Sequence, residues 1–534
     1  MHFTFNRYLL RTGALMLFAA ANHAVFTLNA SNLDTVGVTL LQSMTTNLNG
    51  AGVRVAQAEA LLAASNDWEV NPSAAGVGQP ASLFTYTSTG GSSSSYPNSV
   101  GVESTHADTV AGYFYGIPGG VATNVAHVDN YYAGYFYNSL IAAPFPPNIN
   151  DPVVNQSFIF SGVTINQQQT IDTAYDNYSD LYNTLFVSGP GNGGAVSPPA
   201  TCYNGIAVGA YGGSSSVGPT LDNGRAKPDI CAPAGETSYS TPQVAGAAAV
   251  LVQAGLRGDG GSDVKAAADI RTIKALLLNG AIKPSDWINN PPSPLDARYG
   301  AGVLNLFDSY EQLAFGKHGY IVSNSVPTGG PHPPTGATGT ISTLSGWDFN
   351  TNSSSQTTNG VNHYYFNVTN GVSNSTFTAT ATLVWNRQQN RTGINDLDLF
   401  LYDAVSSNLV ASSTSAVDNV EHLFVKELTQ GRYDLQVLKN GGTLGLKRLT
   451  TTETYALAFE FFSMPLNIAL PDPGTNAVIT WPVYPTGFVL LSTPVLAPQM
   501  VWTANNPAPT VTNSQNQVVL DSSAGSQYFR LRRP

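Results

Sequence analysis

Charge is what this 534-residue chain has least of. Asp, Glu, Lys and Arg together make up 10% of it, against about 25% in an ordinary soluble domain. Ser, Thr, Asn and Gly stand in their place, with 51 glycines. That balance suits many short strands and turns under an uncharged polar surface. The few charges are lopsided. A formal net charge of −11 argues against nucleic acid as a partner. Cysteine is nearly absent. Cys202 and Cys231 are the only two, and a disulfide between them would contribute roughly 3–4 kcal/mol by loop closure. Two buried free thiols are the alternative, because Cys231 lies in an apolar run. Past the N-terminus no apolar stretch is long enough to span a membrane, and no internal repeat is evident. Histidine is scarce as well: between residues 35 and 315 there are only His106 and His127.

The N-terminus is the one place with an export pattern. Arg7 and Arg11 precede the apolar run Ala14–Ala21, and small residues between Ala19 and Ala24 offer a cleavage site. Residues 1–24 therefore read as a signal peptide. Its removal leaves a secreted, extracellular chain with no membrane contact. The remaining length suits two to four domains.

The most informative stretch is Gly235–Gly246, which opens the apolar helix Ala247–Ala254 ended by Gly255. The helix is apolar on all sides, so it belongs in the middle of a domain. Ser238 stands just before its first turn and Pro242 early in it, where a missing N–H costs little. A serine there sits at the positive end of the helix dipole, beside free backbone N–H groups. That position stabilises an oxyanion, although an ordinary N-cap serine looks the same.

Three other segments carry chemistry. Val53–Glu59 reads as a buried strand with Glu59 at its carboxyl end, where open α/β sheets place their sites. Ser104–Gly112 puts His106 on a helix; it is a candidate base or a structural histidine. The turn Gly189–Gly193 carries Asn192, either a turn residue tolerating positive φ or a polar donor. Between them, Val153–Ser157 reads as a strand edge able to pair with an extended peptide. Leu40–Asn49, Asp172–Tyr182 and Ala266–Leu278 read as helices. Residues 66–100 read as a glycine-rich surface insertion.

Taken together these stretches resemble the subtilisin-like serine proteases, the subtilases. Thr237, Ser238, Thr241, Pro242, Val244, Ala245 and Gly246 match the Gly-Thr-Ser-x-Ala-Ser/Thr-Pro-His-Val-Ala-Gly signature, with Glu236 for Gly and Gln243 for His. His106 with Val110-Ala111-Gly112 matches His-Gly-Thr-x-Val-Ala-Gly, with Ala107-Asp108 for Gly-Thr. Val55–Glu59 corresponds to Val-Ala-Val-x-Asp, with Glu59 in the acid's place. Val153–Ser157 resembles Val-Ile-Asn-x-Ser, Gly191-Asn192 the Ala-Ala-Gly-Asn turn, Gly224–Asp229 the Gly-x-x-Lys-Pro-Asp lead, and Gly300–Asn305 the closing Gly-x-Gly-x-x-Asn.

The resemblance implies an α/β fold over 35–315, a subtilisin-like parallel sheet with helices on both faces. It implies a catalytic triad of Glu59, His106 and Ser238, with Asn192 as oxyanion donor. Asn155, Gln156 and Ser157 would line the cleft for protein or peptide substrates. The chemistry requires no metal and no cofactor. The lead before residue 35 leaves no room for the separate inhibitory prodomain that many secreted subtilases carry.

Beyond a Pro/Gly linker at 326–334, alternating strands from 336 to 462 read as a β-sandwich. It resembles the jelly-roll domains that follow many secreted subtilase domains. Within it, Asn395-Asp396-Leu397-Asp398 either chelates a structural Ca²⁺ through alternate oxygens or is a set of solvated loop acids. Residues 465–534 read as a small all-β unit. These β domains would stabilise the protease or make cell-surface or polysaccharide contacts. The activity expected is peptide-bond hydrolysis. The competing readings are a catalytically impaired subtilase-fold binding protein, and a surface or glycan-binding protein acting through the β domains.

Overall fold

The computed structural model describes residues 30–532, except 46, 63–65, 289–290, 371–375, 446–447, 464–465, 470–475, 483–487, 495–502, 505–507, 513–514 and 522–526. The signal peptide expected at 1–24 lies outside the described residues.

Two short helices come first, α1 (Ala30–Thr35) and α2 (Val38–Met44), the second shorter than its expected 40–49. The strands of the first domain are β1 (Arg54–Glu59), β2 (Asp67–Glu69), β3 (Phe84–Ser88), β4 (Gly91–Ser93) and β5 (Val102–Glu103). They continue with β6 (His127–Tyr132), β7 (Val153–Gln156), β8 (Leu185–Ser188), β9 (Ile206–Tyr211) and β10 (Ile230–Pro233). Eight of them form one sheet in the order β10-β9-β8-β7-β1-β6-β3-β4. Every pairing in it is parallel except β3–β4. From β1 the chain winds outward to β3 and β6, then reverses to build β7 through β10. The crevice outside the carboxyl ends at such a reversal is where α/β sheets bind ligands. Glu59 and Gln156 end the two strands that flank it.

Helices cover both faces, and strand alternation decides which residues meet which helices. On β1, Ala56 and Ala58 join the core beside α4 (Ile165–Tyr182), with Ile171, Tyr175 and Tyr178. Val55 joins the larger core on the other face. There it meets α3 (Thr105–Phe114), α5 (Thr237–Arg257), α6 (Ile270–Asn279) and α7 (Leu306–Ala314). Odd positions on β1 therefore face α3 and α5, and Gln57 and Glu59 are odd positions. Helix α5 is buried from Ser240 to Gly255, as its all-round apolar sequence requires. A Cβ at Gly246 would lie 2.6 Å from Val121 Cβ, so only glycine lets α5 pass there.

Two expectations about this domain are corrected. Residues 66–100 are not a surface insertion: β3 pairs with β6, and Trp68, Phe84 and Tyr86 are fully buried. Nor is Val153–Gln156 an edge, because β7 is hydrogen-bonded to β1 on one side and β8 on the other. The two cysteines are unpaired. Burial pushes both thiols up to about 12.

The second domain is a sandwich of two antiparallel sheets. Its strands are β11 (Val322–Pro327), β12 (Ser345–Ser353), β13 (Thr358–Val368), β14 (Thr376–Trp385) and β15 (Leu397–Asp403), then β16 (Leu409–Ser413), β17 (Val420–Thr429), β18 (Gly431–Lys439) and β19 (Thr452–Phe462). One sheet runs β11-β13-β18-β15-β16 and the other β12-β19-β14-β17. The expected linker belongs to the sandwich. Its start is part of edge strand β11, paired with β13. Its remainder lies on the sheet, where His332 Nδ1 is 2.9 Å from Gln436 Oε1 and its ring is 4.3 Å from that of Phe400. Asn395, Asp396 and Asp398 are buried rather than solvated. Asn395 Oδ1 accepts the N–H groups of Leu449 and Thr450 at 2.9 and 3.0 Å.

The sandwich is fused to the first domain. Trp347, Val384, Ala456 and Ala458 belong to the same apolar core as α5. Thr380 and Thr382 hydroxyls both donate to Asn279 Oδ1 at 3.0 Å, and Trp347 Nε1 donates to the Leu313 carbonyl at 3.1 Å. The C-terminal residues form two small antiparallel sheets over a core of Ile479, Trp481, Leu490 and Val518.

Candidate active site

Helix α3 begins directly after Ser104, whose Oγ accepts the Ala107 N–H. This cap sets His106 in the first turn, above the carboxyl end of β1. His106 Nδ1 and Glu59 Oε2 are 2.9 Å apart. A carboxylate oxygen only accepts, so Nδ1 carries the proton and Nε2 is the basic nitrogen. Glu59 is fully buried and His106 nearly so. The other Glu59 oxygen, Oε1, accepts from Gln57 Nε2 at 2.8 Å.

Asp108 faces elsewhere, as positions i and i+2 of a helix must. Its Oδ1 accepts the Asn71 N–H at 2.7 Å. Burial above all, and the neighbouring Glu103 and Glu59, push its carboxyl up to about 8.

Ser238 lies within the first turn of α5 rather than before it, because the helix starts at Thr237 with Glu236 as N-cap. Glu236 is extended, φ −143° and ψ 157°, a conformation open to any residue, so glycine is not needed there. The Glu236 side chain makes no capping bond. Asn192 caps instead: its Oδ1 accepts both the Thr237 N–H at 2.9 Å and the Thr237 hydroxyl at 2.8 Å. Two donors on that oxygen fix the amide's orientation and aim Nδ2 away from Thr237. Tyr239 N–H goes to the Glu236 carbonyl at 3.1 Å. These bonds leave over the Ser238 N–H among the first three of the helix.

Ser240, the neighbouring serine, is fully buried and its hydroxyl donates to the Thr237 carbonyl at 3.2 Å. The Tyr239 ring lies 6.0 Å from the His106 ring and 5.9 Å from that of Tyr113. Helix α5 thus presents Ser238 beside Tyr239, which is itself against His106.

Ser157 has a contact that the sequence did not suggest. Pro242 has no N–H, so the Ser238 carbonyl lacks its normal helical donor. Ser157 Oγ supplies one at 2.9 Å and in turn accepts from Asn155 Nδ2 at 3.1 Å. Gln156 turns to the opposite face, donating to the Tyr175 hydroxyl at 2.7 Å and accepting from Ser188 Oγ at 3.1 Å. All three side chains are buried. Asn155 and Ser157 brace the serine's turn, and Gln156 braces α4.

Gln57 and Tyr115 also escaped sequence reasoning. Alternation along β1 puts residue 57 on the face of residue 59, but nothing local identifies their partners. No group of three or more His, Cys, Asp or Glu among the described residues is arranged to hold a metal.

Residues 94–302 match the family model described as the subtilase family, peptidase S8. That span includes His106, Asn192 and Ser238 and begins after Glu59. No curated protein matches the chain. Among solved structures, the chain is similar to the prenylagaramide maturation protease PagA at 20% identity and TM-score 0.33, over 53% of this chain and 99% of that one. It is similar to the PatG macrocyclase in complex with peptide at 16% identity and TM-score 0.36, over 54% of this chain and 98% of that one. Tripeptidyl peptidase 2 gives 14% identity and TM-score 0.29, over 74% of this chain and 44% of that one.

Proposed function

We propose that this chain, which carries a subtilase-family domain over residues 94–302, is an exported serine endopeptidase with a Glu59–His106–Ser238 triad. The observation that carries the reading is the 2.9 Å contact between Glu59 Oε2 and His106 Nδ1 beside the N-terminal turn of α5. A buried carboxylate on one imidazole nitrogen makes the other a base.

Ser238 Oγ attacks a peptide carbonyl while His106 Nε2 takes its proton. The carbonyl oxygen becomes an oxyanion held by the Ser238 N–H and Asn192 Nδ2. His106 then protonates the leaving amine, and the acyl-enzyme remains. Water, deprotonated by His106, attacks the ester and releases the acid. Glu59 stays ionised throughout, holding the tautomer and balancing the imidazolium. Protein or peptide chains are the substrates. Export is inferred from Arg7, Arg11 and the apolar run 14–21.

A fluorophosphonate probe tests the reading, because it needs both an activated serine and an oxyanion site. Labelling at Ser238, abolished with casein hydrolysis in a folded Ser238→Ala variant, supports it. A folded wild-type protein that takes no label and cleaves no casein would instead be a peptide-binding relative of the peptidases.

A further inference from the structure

The β1 strand departs from the Val-Ala-Val-x-Asp pattern at two chemically telling positions, and the two departures touch. Gln57 stands where the pattern has its second valine, and Glu59 where it has aspartate. Being two apart on a strand, they point to the same side. Gln57 is fully buried, and each end of its amide is engaged. Nε2 donates to Glu59 Oε1 at 2.8 Å and to the Ala107 carbonyl at 2.9 Å. Oε1 accepts from the Tyr115 hydroxyl at 2.7 Å. The amide cannot be reversed, because the Ala107 carbonyl only accepts. Tyr115 is also fully buried, which holds its hydroxyl protonated and a donor.

This arrangement answers a geometric need. Glutamate has one methylene and one torsion more than aspartate, so its carboxylate has more ways to miss the imidazole. Here both oxygens are claimed, Oε2 by His106 and Oε1 by Gln57, which fixes the plane of the carboxylate. The same NH₂ group holds the carbonyl of Ala107, the residue after His106. One amide therefore ties the acid to the backbone of the base, and Tyr115 holds that amide from behind.

We infer that Gln57, oriented by Tyr115, is a positioning residue that allows a glutamate to serve as the triad acid, and that positions 57 and 59 are functionally coupled. The inference rests on the triad reading above. It predicts that the pair exchanges as a unit: a valine at 57 suits an aspartate at 59 better than a glutamate.

The test compares wild type, Gln57→Val, Tyr115→Phe, Glu59→Asp and the Gln57→Val/Glu59→Asp double variant on one peptide, with kcat and KM resolved and folding checked by thermal melting. Gln57→Val should lower kcat about 10²-fold, the cost of a misplacement near 1 Å, with KM essentially unchanged. Tyr115→Phe keeps the ring and should lower kcat less, in the same direction. The double variant should lose less than the product of the two single losses. Wild-type kcat in both Gln57→Val and Tyr115→Phe, a loss confined to KM, or strictly multiplicative losses in the double variant would overturn the clamp. If Gln57→Val does not fold, Tyr115→Phe decides by its kcat. A wild type that neither hydrolyses peptide nor takes the fluorophosphonate label would overturn the triad reading itself.

Discussion

Asn192 and Thr237 are joined twice, through the N–H and the hydroxyl of Thr237 on the single oxygen Oδ1. One side chain thus caps the helix that carries Ser238 with its oxygen and turns its NH₂ away. The two roles are separable. Asn192→Ala should lose about 1 kcal/mol of stability as a lost cap and about 10²–10³ in kcat as a lost oxyanion donor, a magnitude taken over from the subtilisins. Asn192→Asp keeps the acceptor but not the donor. Its melting temperature should stay close to wild type while kcat falls as far as in the alanine variant. Unchanged kcat in both would leave Asn192 a cap alone.

Glu59→Gln should keep the fold, because an amide fits the same space between Gln57 and His106. It cannot balance an imidazolium and favours the wrong tautomer. The kcat should fall by roughly 10³–10⁴, as when a triad carboxylate becomes an amide, with little change in KM. Steady-state kinetics between pH 6 and 9 check this. Activity near wild type would mean that the acid lies elsewhere.

Asp108 should matter to stability and little to catalysis. Its carboxyl is pushed up to about 8 by burial, against an ordinary value near 3.8. The folded state therefore binds the proton more tightly than the unfolded state. The resulting stability is fully present below about pH 4 and is lost as pH rises through about 8. Asp108→Asn removes this dependence, so the variant should gain on wild type in melting temperature on going from pH 5 to pH 9. Its kcat should stay within a few-fold of wild type, since Oδ1 is bonded to Asn71 and not to His106. Equal pH dependence of melting in the two proteins would count against the shift.

The α/β domain and the sandwich should melt together. Their cores merge through Trp347, Val384, Ala456 and Ala458, and Asn279 accepts from Thr380 and Thr382 across the junction. Calorimetry of the full chain should show one transition for both. Asn279→Ala orphans the buried Thr380 hydroxyl, leaves that of Thr382 to His422 Nδ1 alone, and should cost about 1–3 kcal/mol, lowering that transition as a whole. Two resolved transitions would show that the domains are independent.

The order of motifs, acid, histidine, asparagine, serine, was legible in the chain because each residue sits in a locally determined setting. A strand end, a helix start, a glycine turn and an apolar helix are written in propensities over a few residues. The sandwich followed from the same patterns, and the parallel sheet from the resemblance to the subtilases. Several features were decided only by contacts between distant residues. Residues 66–100 read as a surface insertion because their glycines and serines have weak strand preference, yet pairing with β6 makes Phe84–Ser88 a strand. Ser157 looked like a cleft residue, and its partner is a carbonyl 81 positions away that exists as a free acceptor only because residue 242 is proline. Cys202 and Cys231 were compatible with a disulfide until each thiol was packed against a different glycine, Gly205 and Gly209. Gln57 is the sharpest case. Strand alternation alone places it beside Glu59, but its restraint comes from Tyr115, 58 residues on. Local sequence sets where a side chain points, and tertiary packing sets which group it meets there.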